Sequence, residues 1–312
     1  MAVTHHSLQM LDRAGMLVLR LMLAGGRGKA MGPPERGQFD ETIEKTRAAS
    51  GVDYEEAQVG GVPGWWCCPE GVAAGAAILY FHGGAYVLGS ARAYRHLAGQ
   101  IAARAKTAVF VAGYALAPEK PFPAAVDDAH AAYRGLVEQG FTKIALAGDS
   151  AGGGLALALL ALTVAESRKN GAPVPVGAAV LSPWTDLALS GATMQTKADA
   201  DPLLTRDSLA ASARQYLQGA DARDPRASAL YADFTGLPPV EIHVGAEEIL
   251  LDDSLRYMER LERVGGACHV HVWEGMMHVF SSHSTLRAAR ESISSLGDFL
   301  RARLSGTDDV RG

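Results

Sequence analysis

Lys143-Ile144-Ala145-Leu146-Ala147-Gly148-Asp149-Ser150-Ala151-Gly152-Gly153 is the stretch on which the reading of this chain turns. An apolar run without polar alternation ends in a serine flanked by glycines, then passes directly into a small-residue apolar stretch from Gly153 to Arg168. A strand buried on both faces reads as such a continuous run, and the stretch after it has the length of a helix. Gly148-Asp149-Ser150-Ala151-Gly152 is therefore a G-x-S-x-G on a tight strand-to-helix turn, where small neighbours let the serine take a strained backbone and point outward. The pentapeptide alone is weak, because 35 glycines in 312 residues flank roughly one serine in eighty by chance. A glycine-rich helix start with an N-capping serine would read the same way. Its placement gives it weight.

Working outward, short apolar runs recur at Ala76–Phe81, Thr107–Ala112, Val176–Leu181, Val240–Val244 and His269–Trp273. Between most of them lie helical stretches such as Ala91–Arg104 and Ala124–Glu138. This alternation predicts an α/β fold with a mostly parallel central sheet flanked by helices. Residues 1–50 carry helical patterns before any strand pattern and are expected to form an N-terminal helical cap segment, leaving 51–312 as the catalytic domain. Met10, Leu11, Ala14, Leu17, Val18, Leu21 and Met22 fall at helical spacing, which predicts an amphipathic helix covering something apolar. A polar helix is expected at about Phe39–Ala49. The interval from about 186 to 234 exceeds what one crossover needs and contains a helical stretch, Ser208–Leu217, so it is expected to form a second cap excursion.

A formal net charge of -5 supplies no basic field for nucleic acid, so a small neutral substrate is the expected partner. Cys67, Cys68 and Cys268, two of them adjacent, suit neither a disulfide framework nor a paired metal site, and a reducing cytoplasm is the expected setting. Neither metal nor cofactor is expected. Met16–Leu23 is too short to span a bilayer. Asp12 and Arg13 ahead of it, with Arg20 inside it, argue against a signal peptide.

The chemistry follows from what a serine needs. A hydroxyl attacks a carbonyl only when a base takes its proton, and in this chain order the base lies downstream. Among ten histidines His278 is best placed, after the run His269–Trp273 and the turn Glu274-Gly275. His243 reads as a core or pairing residue, and His269, His271 and His283 are less well placed. Acyl transfer also builds a negative oxygen, and glycines let backbone N–H groups approach it. His82-Gly83-Gly84-Ala85-Tyr86 at an earlier strand end offers Gly83 and Gly84, with Ala151 as a third donor. The acid that orients the histidine should follow Val240–Val244, where Glu247, Glu248, Asp252 and Asp253 all stand. Composition does not choose among them.

HGGAY at 82–86, Tyr114-Ala115-Leu116-Ala117-Pro118-Glu119 with Phe122-Pro123-Ala124-Ala125, GDSAGG at 148–153, and Ser182-Pro183-Trp184 with Asp186 occur in one order and spacing. Together they resemble the hormone-sensitive lipase branch of the α/β-hydrolases, the bacterial family IV esterases. The resemblance runs from about Ala76 to the C-terminal helix. It implies a sheet of about eight strands, a helical cap, and hydrolysis of carboxylic esters with short or medium acyl chains by a Ser-His-acid triad through an acyl-enzyme. It also implies that related enzymes pair through a sheet edge, so a homodimer is expected. The family's D-x-L-x-D pattern falls on Glu248-Ile249-Leu250-Leu251-Asp252, which puts Glu248 in the place of the usual aspartate, with Asp252 as the alternative. Ala85 stands where many members carry a third glycine. Asp201-Pro202-Leu203-Leu204 looks similar to the acid motif but precedes the relevant strand, and it reads as part of the lid. Rival readings keep the triad but change the substrate to a lactone, an amide or an acetylated sugar or drug, or make the chain a ligand-binding protein on a hydrolase scaffold.

Overall fold

A computed structural model describes residues 3–29, 31–72 and 75–306. In chain order it runs β1 (Val3–His6), α1 (Met10–Leu23), α2 (Arg36–Ile43), β2 (Val52–Val59), β3 (Val62–Pro69), β4 (Ala76–Phe81), α3 (Ala91–Ala105) and β5 (Val109–Ala112). It continues with α4 (Ala124–Glu138), β6 (Lys143–Asp149), α5 (Ser150–Asn170), β7 (Ala178–Leu181), α6 (Thr193–Thr196) and α7 (Arg206–Leu217). The last elements are β8 (Val240–Gly245), α8 (Leu251–Arg263), β9 (Cys268–Trp273) and α9 (Arg287–Ser305).

The strands form one nine-stranded sheet in the order β1-β9-β8-β7-β6-β4-β5-β3-β2. Pairing is parallel from β1 to β5, while β3 runs antiparallel to both β5 and β2. The apolar runs are continuous because both faces are covered. Along β4, Ala77, Leu79 and Phe81 join a core with α4, α5 and α8, whereas Ile78 and Tyr80 point to a second core with α3 and α9. The helix α5 is long and apolar enough to cross a membrane by composition alone, and 72% of that window is buried in the fold. Strand order reverses at β4: the chain leaves it for β5 on one side and returns to β6 on the other. That reversal opens a crevice at the carboxyl ends of β4 and β6, the place where open α/β sheets hold ligands.

Three features depart from the sequence reading. The first fifty residues are not helical throughout, because Val3–His6 adds a parallel strand to β9 at the sheet edge. Four residues with two exposed polar side chains leave no apolar run to read. The hairpin β2–β3 has no counterpart among the apolar runs; its signal is Gly60-Gly61, both at positive φ, between half-exposed runs.

The third departure is the roll of α1. The expected inward face, Met10, Leu11, Leu17, Val18, Leu21 and Met22, is exposed, with Met10 at 86% and Leu11 at 82%. Asp12 and Met16 point inward instead. Asp12 accepts the N–H of Arg287 at 2.7 Å on one oxygen and that of Ala288 at 3.0 Å on the other. These are orphan donors of the first turn of α9, so a carboxylate there both satisfies them and complements the helix dipole. Gly15 keeps the approach close, since a Cβ there would lie 2.7 Å from Leu286 Cδ2. A narrow apolar strip then packs on Trp273, Met276 and Phe280, and the wider one faces out.

Asp12→Ala leaves two donors of α9 without acceptors and is expected to cost about 1–2 kcal/mol. Melting of this variant should fall by a few degrees, and Asp12→Asn, which keeps one acceptor, should fall less; thermal scans of both check this.

Candidate active site

The helix α5 begins at Ser150 itself, three residues earlier than its apolar pattern suggested, and Ser150 sits at φ 52. An ordinary residue reaches that left-handed conformation only when its surroundings impose it. Here Gly148 and Gly152 make it possible: a Cβ at Gly152 would lie 2.1 Å from the Phe81 carbonyl oxygen, and one at Gly148 would lie 2.5 Å from that of Gly152. Because Ser150 opens the helix, Ala151 lies in its first turn, where N–H groups have no intrahelical acceptor.

His278 comes to Ser150 from the loop after β9. Its Nε2 lies 2.9 Å from Ser150 Oγ and its Nδ1 lies 2.5 Å from Glu248 Oε2. With an ionised carboxylate at Nδ1, the ring proton belongs there and Nε2 presents its lone pair to the serine. All three residues are buried. Burial pulls the imidazole pKa down, but the charge and hydrogen bond of Glu248 outweigh it and leave His278 above its ordinary 6.5. Of the two acids left open by the sequence, only Glu248 reaches this ring. Asp252 accepts the N–H of Thr193 at 3.1 Å and serves the start of α6.

Two residues not assigned to the site from sequence hold this pair in place. Glu248 Oε1 accepts from Ser182 Oγ at 2.9 Å and from the N–H of Gly245 at 2.8 Å, so the carboxylate is held at both oxygens. Ser182 Oγ in turn accepts the N–H of Val279, next to His278, at 3.1 Å. Asp201, read as part of the lid, is fully buried and accepts the N–H of Ile249, next to Glu248, at 3.0 Å. The signal for Ser182 is its place in the Ser182-Pro183-Trp184 motif; for Asp201 no local pattern announces a contact with residue 249.

The loop after β4 corrects one expectation. The N–H of Gly83 donates to Asp149 Oδ1 at 2.9 Å, so it is not free to meet a substrate oxygen. Asp149 also accepts from Tyr80 at 2.7 Å and Tyr94 at 3.4 Å, and burial pushes its pKa up to about 6 against the pull of those bonds. The next residues turn sharply, with Gly84 at φ 117, Ala85 at φ 54 and Tyr86 at φ 65. Gly84 and Ala85 line the cavity beside Ser150, and neither N–H has an acceptor among the described residues. Ala151 is likewise without one. His82 does not join them: it is buried against Tyr114 at 4.4 Å, and burial lowers its pKa to about 4.

A cavity of about 500 Å³ opens over Ser150 and His278. Its walls include Met31 and Phe39 from the N-terminal segment, Leu204 and Leu209 from the second excursion, and Leu88 and Met277 from the sheet edge. The two covering pieces are bound to each other through Arg20 to the Ala200 carbonyl at 2.9 Å, Arg27 to the Asp201 carbonyl at 2.8 Å, and Gln215 to the Met31 carbonyl at 2.8 Å. The arrangement offers a nucleophile, a base, an orienting acid and three unpaired donors under an apolar roof.

The chain is similar to known hydrolases in sequence and in fold. Residues 78–282 match a family model described as the alpha/beta hydrolase fold. An acetyl-hydrolase of Streptomyces hygroscopicus is 44% identical over 230 residues, which covers 73% of this chain and 76% of that protein. An esterase of Acinetobacter venetianus is 35% identical over 226 residues, 71% of this chain and 73% of its own length. Among solved structures, an esterase of the bacterial hormone-sensitive lipase family superposes with a TM-score of 0.87 at 34% identity, covering 96% of this chain and all of that one.

By NMR, His278 is expected to titrate above 6.5 in the native protein. In Glu248→Gln the largest of the raising influences is gone while burial persists, so its titration should move down from the native position.

Proposed function

This chain belongs to the α/β-hydrolase fold family, in its hormone-sensitive-lipase-like esterase branch, and is a serine carboxylesterase; we propose that it takes esters of short to medium acyl chain through an acyl-enzyme on Ser150. The observation that carries this reading is the chain of contacts from Ser150 Oγ to His278 Nε2 at 2.9 Å and from His278 Nδ1 to Glu248 at 2.5 Å.

In this reading His278 takes the hydroxyl proton as Ser150 attacks the ester carbonyl, and Glu248 stabilises the imidazolium that forms. The carbonyl oxygen, negative in the tetrahedral intermediate, is met by the N–H groups of Gly84, Ala85 and Ala151. His278 then returns the proton to the departing alcohol, leaving the acyl group on Ser150. A water activated by the same imidazole releases the acid and restores the site. Ala85 in place of a third glycine does not weaken the hole, because its N–H is the contributing group and its backbone already lies at positive φ.

The acyl preference rests on the cavity of about 500 Å³, which suits a small ester better than a long lipid chain. The similarity to an acetyl-hydrolase favours acetate esters, including an acetyl group carried on a larger alcohol, as a second reading of the same chemistry. We also place the protein in a reducing cytoplasm, in keeping with its three free cysteines, and expect two copies to pair through a sheet edge.

Ser150→Ala should lower hydrolysis of a p-nitrophenyl ester by roughly four to six orders of magnitude while leaving the melting curve in place. Turnover within tenfold of the native rate would overturn the assignment. Glu248→Gln should lower kcat by roughly two to four orders of magnitude and Asp252→Asn should not. Because His278 acts as a base only when neutral and its pKa is raised, kcat/KM should fall toward acid pH with a midpoint above 6.5. A panel of esters from acetate upward, read as kcat/KM, tests acyl length.

A further inference from the structure

Four of the ten histidines, His6, His243, His269 and His271, have been drawn to one corner of the sheet, away from the catalytic turn. On β8 and β9 the register sets Glu241 beside His269 and His243 beside His271, and β1 adds Thr4 and His6 along the same edge. Glu241 and His271 are more than nine-tenths buried, whereas His269 is half-buried and gives access from solvent. One donor atom from each of Glu241, His269 and His271 lies within 4.8 Å of the other two.

The hydrogen bonds around this trio leave one face of it open. His243 is fully engaged: its Nε2 bonds Glu241 Oε1 at 3.0 Å and its Nδ1 accepts from Trp273 at 3.2 Å. Ser295 reaches the same Oε1 at 3.4 Å. His271 Nδ1 bonds His6 at 2.9 Å, and His269 Nε2 bonds Thr4 at 2.8 Å. What remains is His271 Nε2, which is buried and has no hydrogen-bond partner, facing Glu241 Oε2 at 3.7 Å. A buried ring nitrogen without a partner is costly, and here a carboxylate oxygen lies just beyond bonding reach.

We propose that Glu241, His269 and His271 form a binding site for a divalent transition ion of the zinc type. Two imidazoles and a carboxylate suit such an ion, and three protein ligands leave a position for water. Donors 3.7 Å apart both lie about 2.1 Å from one ion when it joins them at roughly 125°, a modest widening of the tetrahedral angle. The surrounding bonds from His6, Thr4, His243 and Ser295 fix ring and carboxylate orientation as outer partners do in metal sites. The H-x-H spacing on a strand puts both rings on one face, and the acid comes from the neighbouring strand. Cysteine spacing pointed to no metal because the ligands are gathered by strand register. The proposal does not rest on the esterase reading, since none of these residues touches Ser150, His278 or Glu248.

The test titrates zinc chloride into the full chain after chelator treatment and removal of the chelator, followed by calorimetry and by the melting temperature. The native protein should bind about one equivalent and melt higher with zinc than without. His269→Ala, at the accessible edge, and Glu241→Gln, which keeps shape but loses charge, should each weaken binding by roughly tenfold or more. His269→Ala without zinc should hydrolyse p-nitrophenyl ester at the native rate, a check that it is folded. No binding by the native chain, or binding of equal affinity in both variants, would overturn the site, the latter because the ion then sits elsewhere, as at the exposed His5 and Glu274.

Discussion

The contact between Gly152 and the end of β4 is the constraint on which the rest of the site depends. With only a hydrogen on its Cα, Gly152 lets the first turn of α5 rest on the carbonyls of Phe81 and His82, where a methyl carbon would lie 2.1 Å and 2.4 Å from their oxygens. That closeness forces the turn at Ser150 into its left-handed conformation and brings the loop after β4 alongside it. A looser turn would separate Ser150 Oγ from the N–H groups of Gly84 and Ala85. Packing density is what makes this geometry single-valued.

Buried carboxylates do the joining elsewhere. Asp12 holds the start of α9, Asp201 holds Leu203, Leu204 and Ile249, and Asp253 holds the N–H groups of Thr185 and Asp186 at 2.7 and 2.9 Å. Burial, together with the neighbouring charge of Asp186, pushes the pKa of Asp253 up to about 8. Each clamp grips backbone of a segment distant in sequence. A carboxyl group can accept from several backbone donors in loops and at a helix start, where no ladder satisfies them.

This explains what the sequence could and could not disclose. Strands β4 to β9 announce themselves because burial on both faces writes continuous apolar runs, and the expectation for Ser150 and His278 rests on their standing at the ends of such runs. Glu248 needed the spacing of a known pattern, because four acids crowd the same loop. The expectation that the Gly83 N–H faces a substrate oxygen stops at a carboxylate: nothing local says that Asp149 has already taken it. The roll of α1 failed for the same reason. Apolar spacing selected the wide stripe, and two hydrogen bonds to Asp12 turned the other one inward. Period reports burial, whereas a clamp between distant segments leaves no periodic trace. The edge strand β1 is missed because half of its short length faces water.

Asp149 is joined by a peptide bond to Ser150 and by a hydrogen bond to Gly83. Ser150 and the loop that carries the Gly84 and Ala85 N–H groups therefore take their positions from one residue. A shift of Asp149 would carry both of them with it. The site thus keeps its alignment through a shared point of reference, with no demand that the whole domain be rigid.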